Sequence, residues 1–191
     1  MFLNKLWHRI GIPVILSFVY MFSSCTDKSK KEEGTPVKAE APVVKKYTSK
    51  DGRFAINFPA EPKVSHDTVQ TEIGVLEFHM FMLEKSVTET YLAAYSDYPS
   101  EFVKESNRDS LLNAGKKGVL LKLNGKITEE KKMKIEGNDG LLFKAVAGQV
   151  NLTYKMFIVG NRLYQIGILY DGSPVSEESI KEFFDTFELT K

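Results

Sequence analysis

The sequence has very little cysteine, and it has no apolar run long enough to cross a bilayer as a helix. Its single cysteine, Cys25, cannot form a disulfide within the chain. The folded part must therefore be held by a hydrophobic core. The apolar stretch from Ile10 to Phe22 has 13 residues, whereas a spanning helix needs about 20, and Pro13 also disfavours a long regular helix.

Sequence signatures of common catalytic sites are also absent. The chain has no G-x-S-x-G elbow, Walker loop, G-x-G-x-x-G turn or H-E-x-x-H pair, so none of these nucleophile, phosphate or zinc sites is predicted. His66 and His79 lie 13 positions apart with no cysteine near them, and a metal site needs more converging ligands. We therefore predict no catalytic residue, no cofactor, no metal site and no enzymatic activity.

An excess of positive charge is missing as well. The whole chain has a formal net charge of +1, but residues 47–191 hold 18 Lys/Arg against 21 Asp/Glu, a net charge of −3. A mildly acidic domain gives no support for nucleic-acid binding. Asp97, Glu101, Asp109 and Asp139 are predicted to be solvated acids in loops or helix caps.

The first 25 residues have the pattern of an export signal. Lys5 and Arg9 precede the apolar run, and Ser23-Ser24 precede Cys25. The end of this segment, Phe22 to Cys25, resembles a bacterial lipobox, with phenylalanine where leucine, valine or isoleucine is usual. The resemblance implies cleavage between Ser24 and Cys25 and acylation of Cys25, including palmitate-type chains. The alternative interpretation is an uncleaved anchor or a buried helix.

Three segments follow from this pattern. Residues 1–24 are predicted to be a lipoprotein signal peptide, and residues 25–46 the acylated cysteine with a flexible tether rich in Lys, Glu, Pro and Ala. Residues 47–191 form one domain of ordinary size. We expect this domain to be held at the bacterial cell envelope, in the outer membrane, through its lipid anchor.

The domain alternates strand and helix patterns in a simple order. Period-two alternation predicts four strands over residues 54–58, 63–70, 74–85 and 90–98. A helix capped by Ser106 or Asn107 follows, and Gly115 and Gly118 either allow it to pack closely or end it early. Four more strands are predicted over residues 126–136, 141–147, 152–159 and 162–170, and the charge of the first favours either a sheet edge or a long exposed hairpin. A final helix opens at Ser173-Pro174 and carries an apolar face.

Two stretches of this domain carry a family resemblance. They are Asp51-Gly52-Arg53-Phe54 through Phe58-Pro59 with Pro62, and Val159-Gly160-Asn161-Arg162-Leu163-Tyr164-Gln165-Ile166 followed by Phe183-Phe184-Asp185-Thr186-Phe187. Both are similar to bacterial proteins related to PsbP and Mog1, and the Gly137 to Gly140 turn lies where those proteins carry a Gly-rich turn. The resemblance implies an α+β fold, an α/β/α sandwich on a twisted, mainly antiparallel sheet of about 7–8 strands with two principal helices. The family shares no catalytic signature, so the resemblance implies no site residue.

The functional expectation is a non-enzymatic binding or accessory module with an envelope protein as partner and no nucleic acid. Tyr91, Tyr95 and Tyr98 either line a shallow binding surface or pack on the sheet with their hydroxyls at its edge. An enzyme or small-ligand carrier, with a site assembled only in three dimensions, is the alternative. A cytoplasmic or nuclear partner of a GTPase is a third possibility, and it requires that residues 1–25 are not a signal.

Overall fold

The computed structural model describes residues 45–71, 73–172 and 175–191, and it contains two antiparallel sheets. The strands are β1 (Lys45–Ser49), β2 (Phe54–Phe58), β3 (Lys63–Thr71), β4 (Gly74–Ser86), β5 (Glu89–Asp97), β6 (Lys126–Ile135), β7 (Asn138–Ala147), β8 (Val150–Val159), β9 (Arg162–Asp171) and β10 (Glu188–Leu189). The large sheet has seven strands in the order β3-β4-β5-β9-β8-β7-β6, and the small sheet has the order β1-β2-β10. The described helices are α1 (Ser100–Glu105), α2 (Arg108–Leu123) and α3 (Glu177–Asp185).

The middle of the large sheet is buried on both faces. Strands β8 and β9 lie beside each other at its centre, and apolar side chains fill successive positions along both, so that Ile158, Ile166 and Ile168 have no exposed surface. A strand covered on both faces has a nearly continuous apolar sequence instead of an alternating one. Side chains of these two strands contribute to the hydrophobic cores on both faces of the sheet.

Helices α1 and α2 cover one face of the large sheet. Asn107 caps α2, because its side chain accepts a hydrogen bond from the backbone N–H of Asp109 at 2.8 Å. The helix continues past Gly115, where an added Cβ would lie 2.8 Å from the Met156 side chain. Gly115 therefore serves close packing of helix on sheet, which resolves the two alternatives that the sequence allowed.

The small sheet and α3 cover the opposite face with an aromatic core. Its buried members are Phe54, Ile56, Phe58, Phe81, Tyr91, Ala93, Tyr95, Phe157, Tyr164, Ile166, Ile168, Phe183 and Phe184. Ser176 caps α3 by accepting a hydrogen bond from the N–H of Ser179. The domain thus has three layers: helices α1 and α2, the large sheet, and a third layer that contains both α3 and the small sheet. This arrangement confirms the predicted α+β class.

Three boundaries differ from the sequence predictions. Strand Phe54–Phe58 pairs with β1 and β10 and not with the large sheet, because its apolar side chains pack onto that sheet's face. The last helix begins at Glu177, after Ser176, whereas its predicted start, Ser173-Pro174, lies outside the described residues. The turn before β7 consists of Glu136 and Gly137, both with positive φ, so residues 138–140 belong to the strand. Within the described ranges, no helix is long and apolar enough to cross a membrane.

Candidate binding surface at the β3 edge

The predicted lipidation site cannot be placed on the fold. Ser24 and Cys25, which flank the predicted cleavage site, lie outside the described residues. The first described strand begins at Lys45 and pairs with β2. The anchor therefore stays a prediction, and the search for a functional surface concerns the domain.

The two ends of the large sheet have opposite character. Strand β6, which the sequence correctly predicted as an edge, has charged side chains at six of its ten positions and a register shift between Ile127 and Glu129. Four of these charges pair with neighbouring elements, in the contacts Lys116–Glu130, Lys132–Asp109, Lys134–Asp139 and Lys144–Glu129. Charge and a bulge are the devices by which proteins prevent a further strand from adding to an edge.

Strand β3 has less of this protection. It has only two charged side chains, Lys63 and Asp67, in nine residues, and it pairs with β4 without a register shift over its whole length. Val64 is 60% exposed on it. No described strand lies beyond β3 in the sheet order. We call this strand and its outward backbone the β3 edge.

A stack of side chains runs from the interior of the sheet toward the β3 edge. The Arg162 guanidinium lies 4.2 Å from the ring centre of Tyr95, and the His79 ring lies 4.5 Å from Tyr95 at an angle of only 9°. The next ring outward belongs to His66, 6.3 Å from His79. Cross-strand pairing explains the alignment, because His66 faces His79 and His79 faces Tyr95 in the register. Arg162, Tyr95 and His79 are called the cation–aromatic stack below.

Arg162 fixes the inner end of this stack. Its Nε and Nη2 atoms each donate to a different carboxylate oxygen of Asp97, both at 2.6 Å, and its Nη1 donates to the Asp51 carbonyl oxygen at 2.6 Å. These hydrogen bonds hold the pKa of Asp97 below its ordinary value. Asp97 is about half exposed, as predicted for a solvated acid, but it ends strand β5 and its carboxylate is held by Arg162. Arg162 and Asp97 are 65 residues apart in the chain, and no sequence signal pairs them.

Tyr91, Tyr95 and Tyr98, which the sequence offered as a possible binding surface, do not form one surface. Tyr91 and Tyr95 belong to the aromatic core, whereas Tyr98 packs with the other cluster and stacks on Phe102. The Tyr91 hydroxyl donates to Glu89 at 2.5 Å, and burial raises the pKa of both Tyr91 and Tyr95. They pack on the sheet, as the second sequence alternative proposed.

The fold places His66 and His79 directly opposite each other, although they lie 13 positions apart in the chain. A signal for this pair was present in the hairpin. The two residues are equally distant from the two-residue connection between Thr71 and Gly74, so an antiparallel hairpin with that turn must pair them. What the sequence did not show is where the turn is centred.

Two depressions lie elsewhere on the described surface. One, of about 590 Å³, lies between the start of α2 and strands β6 and β7, and the acids Asp109 and Asp139 that line it pair with Lys132 and Lys134. Both acids were predicted to be solvated, and both form ion pairs. The other, of about 270 Å³, lies beside α3 and over Lys155. Burial lowers the pKa of Lys155, which lies 3.7 Å from Asp185.

Comparison with known proteins gives similarity at the level of fold. No protein-family model and no curated protein matches this chain. Among solved structures, the chain is similar to CyanoP, the PsbP protein of Synechocystis sp. PCC 6803, with a TM-score of 0.49 and 10% identity over 82% of this chain and 98% of that one. A crystal structure from Bacteroides thetaiotaomicron VPI-5482 has a TM-score of 0.40 and 17% identity, over 78% of this chain and 49% of that one. The fold assignment rests on the strand order and helix positions given above.

Proposed function

We propose that this chain is a lipid-anchored protein of the bacterial outer membrane whose domain is a non-enzymatic binding module. The anchor is supported by the sequence pattern, in which Lys5 and Arg9, an apolar run and small residues precede Cys25. Several acyl chains on one residue hold a protein stably, because each buried methylene contributes about 0.8 kcal/mol. The predicted tether would present the domain at a distance from the bilayer. Its last two residues, Lys45 and Lys46, belong to strand β1 in the structure, so the domain begins two residues earlier than predicted.

The binding role rests on one observation, the contrast between the two sheet edges. The β6 edge is charged and bulged, and four of its six charges form ion pairs, whereas the β3 edge has no bulge, is mostly uncharged and is partly apolar. An edge left without protection is costly, because it invites aggregation. An edge that is retained in this form is therefore best explained by a partner that uses it.

The occupant that fits the β3 edge is an extended segment of an envelope protein, added as an eighth strand. Such a strand gains affinity from main-chain hydrogen bonds and specificity from alternate side chains. Val64 and His66, both exposed on β3, would contact the alternate side chains of the added segment.

A matched pair of substitutions tests this role in cells that express the full chain. Thr68→Lys places a positive charge on the β3 edge, and Thr128→Lys places the same charge on the β6 edge; both threonines are exposed. After cross-linking and purification, we expect one envelope protein to be recovered with the wild type and with Thr128→Lys but at least tenfold less with Thr68→Lys. Equal recovery with both variants, or no specific protein with the wild type, would contradict the binding role.

The anchor requires a separate experiment. We expect mass spectrometry of the mature protein to find an acylated Cys25 at its N-terminus, and fractionation to find the protein in the outer membrane. Cys25→Ala should release it into a soluble fraction. An unmodified cytoplasmic pool of wild type, or membrane association that survives Cys25→Ala, would refute the anchor without affecting the edge hypothesis.

A further inference from the structure

The pair of histidines on the β3–β4 hairpin has the placement of a two-ligand metal site. His66 and His79 are direct cross-strand partners, so their side chains leave the same face of the sheet. His66 is exposed, and 33% of the His79 side chain is exposed. Both imidazoles are therefore accessible to an ion in solution.

The separation of the rings is close to what a shared ion requires. Zinc–nitrogen bonds are about 2.1 Å long, so two imidazoles on one tetrahedral ion have ring centres roughly 5 Å apart, and more for wider angles. The ring centres of His66 and His79 are 6.3 Å apart. A shift of about 1 Å in the ring of the exposed His66 would close the difference.

A carboxylate lies beside the pair. Glu77 Oε2 is 3.5 Å from His79 Nε2, and Glu77 is exposed two residues before His79 on the same strand face. In the described part of the chain no three His, Cys, Asp or Glu residues are already arranged to hold a metal ion. The hairpin thus supplies two nitrogens, with Glu77 or water available for the remaining positions.

The cation–aromatic stack holds one of the two ligands in place. The His79 ring lies flat on Tyr95, the Arg162 guanidinium also lies over the Tyr95 ring, and Arg162 is fixed by Asp97. A ligand that is already oriented by its neighbours loses less side-chain entropy when it binds. The nearby Arg162 charge is offset by the Asp97 carboxylate, which reduces its repulsion of a cation.

We propose that His66 and His79 form a surface site for a divalent ion of the late first transition row, with Glu77 as an auxiliary ligand. Imidazole nitrogen selects Cu²⁺, Zn²⁺ and Ni²⁺ over Mg²⁺ and Ca²⁺, and Cu²⁺ is bound most tightly among them. The ion would clip β3 to β4 near the middle of the hairpin. This site does not depend on the proposed partner of the β3 edge.

The test is titration of the purified full chain with Zn²⁺ and with Cu²⁺, with Mg²⁺ as the comparison ion. We expect one ion per chain, and at least tenfold weaker binding in His66→Gln and in His79→Gln. Glu77→Gln should weaken binding less. Glu130→Gln, an exposed carboxylate on strand β6 at the opposite edge of the sheet, is the matched control and should bind as the wild type does.

Two results would overturn the proposal. One is a wild type that takes up neither Zn²⁺ nor Cu²⁺ at a concentration tenfold above that of the protein. The other is uptake that is unchanged by His66→Gln, a substitution at an exposed side chain that leaves the core intact. Broadening of the Tyr95 and His79 NMR signals by Cu²⁺ would support the site independently, because it would locate the bound ion beside these two rings.

Discussion

Replacement of Arg162 by lysine is expected to destabilise the domain although it conserves the charge. Arg162 makes three hydrogen bonds, two to Asp97 and one to the Asp51 carbonyl oxygen, and only 11% of its side chain is exposed. A lysine ammonium cannot form the planar, bidentate contact or stack flat on Tyr95. The substitution therefore weakens the contacts by which Arg162 of β9 holds Asp97 of β5 and the turn that leads into β2.

The expected loss of unfolding free energy depends on how exposed Arg162 and Asp97 are. A hydrogen bond to a charged group contributes about 1.5–3 kcal/mol when buried, but half of the Asp97 side chain is exposed, so solvent screening lowers this to about 1 kcal/mol for each of two bonds. We expect Arg162→Lys to lower the free energy of unfolding by about 2 kcal/mol. In a domain of this size, that corresponds to a Tm lower by roughly 4–8 °C.

Urea unfolding followed by circular dichroism measures this loss. Arg108→Lys is the matched control, because Arg108 makes a single hydrogen bond of 3.4 Å to the Ile158 carbonyl oxygen, and it should change stability by less than about 0.5 kcal/mol. If Arg162→Lys also stays within that limit, the arrangement of Arg162 is not what holds the turn to the sheet.

The loss of stability caused by Arg162→Lys should also depend on pH. Because Arg162 holds the pKa of Asp97 below its unfolded value, the stabilisation is present above the unfolded pKa and is lost as pH falls through the folded pKa. We expect the difference between wild type and Arg162→Lys to be largest at pH 7 and to shrink below about pH 4. A difference that is unchanged at pH 3 would assign the effect to stacking on Tyr95 and not to the ion pair.

Two further substitutions test the packing of the sheet faces, with urea unfolding as the measurement. Gly167→Ala should lower the free energy of unfolding by about 1–2 kcal/mol, because the added Cβ would overlap the ring of Tyr154. Gly118→Ala has open space around it and should stabilise α2 by up to about 1 kcal/mol. Equal effects of the two substitutions would contradict the packing described. Lys155→Met should stabilise the domain by about 1 kcal/mol at pH 7, because Lys155 is largely buried against Phe184. Because the pKa of Lys155 is lowered in the folded state, the wild type gains stability as pH rises toward 10.5. The difference in stability between Lys155→Met and the wild type should therefore be smaller at pH 10 than at pH 7. A difference that does not change with pH would contradict the burial argument.

The sequence predicted the class of fold and most local elements because these depend on neighbours in the chain. Period-two runs identified the strands, Asn107 supplied a helix cap, and the charge of β6 marked it as an edge. Short hairpin connections required antiparallel pairing of successive strands. The apolar face of the final helix identified Phe183 and Phe184 as core residues, which the structure confirms.

The tertiary structure decided what depends on residues distant in the chain. It moved Phe54–Phe58 out of the large sheet, joined Arg162 to Asp97 across 65 residues, and left β3 as the second edge. It also centred the β3–β4 turn so that His66 faces His79. Periodicity tells which face of a strand is apolar but not which strand lies beside it, because the packing of both sheet faces selects the order of the strands. The sequence alone predicts an anchor at Cys25, whereas the β3 edge and the histidine pair exist only in the folded domain.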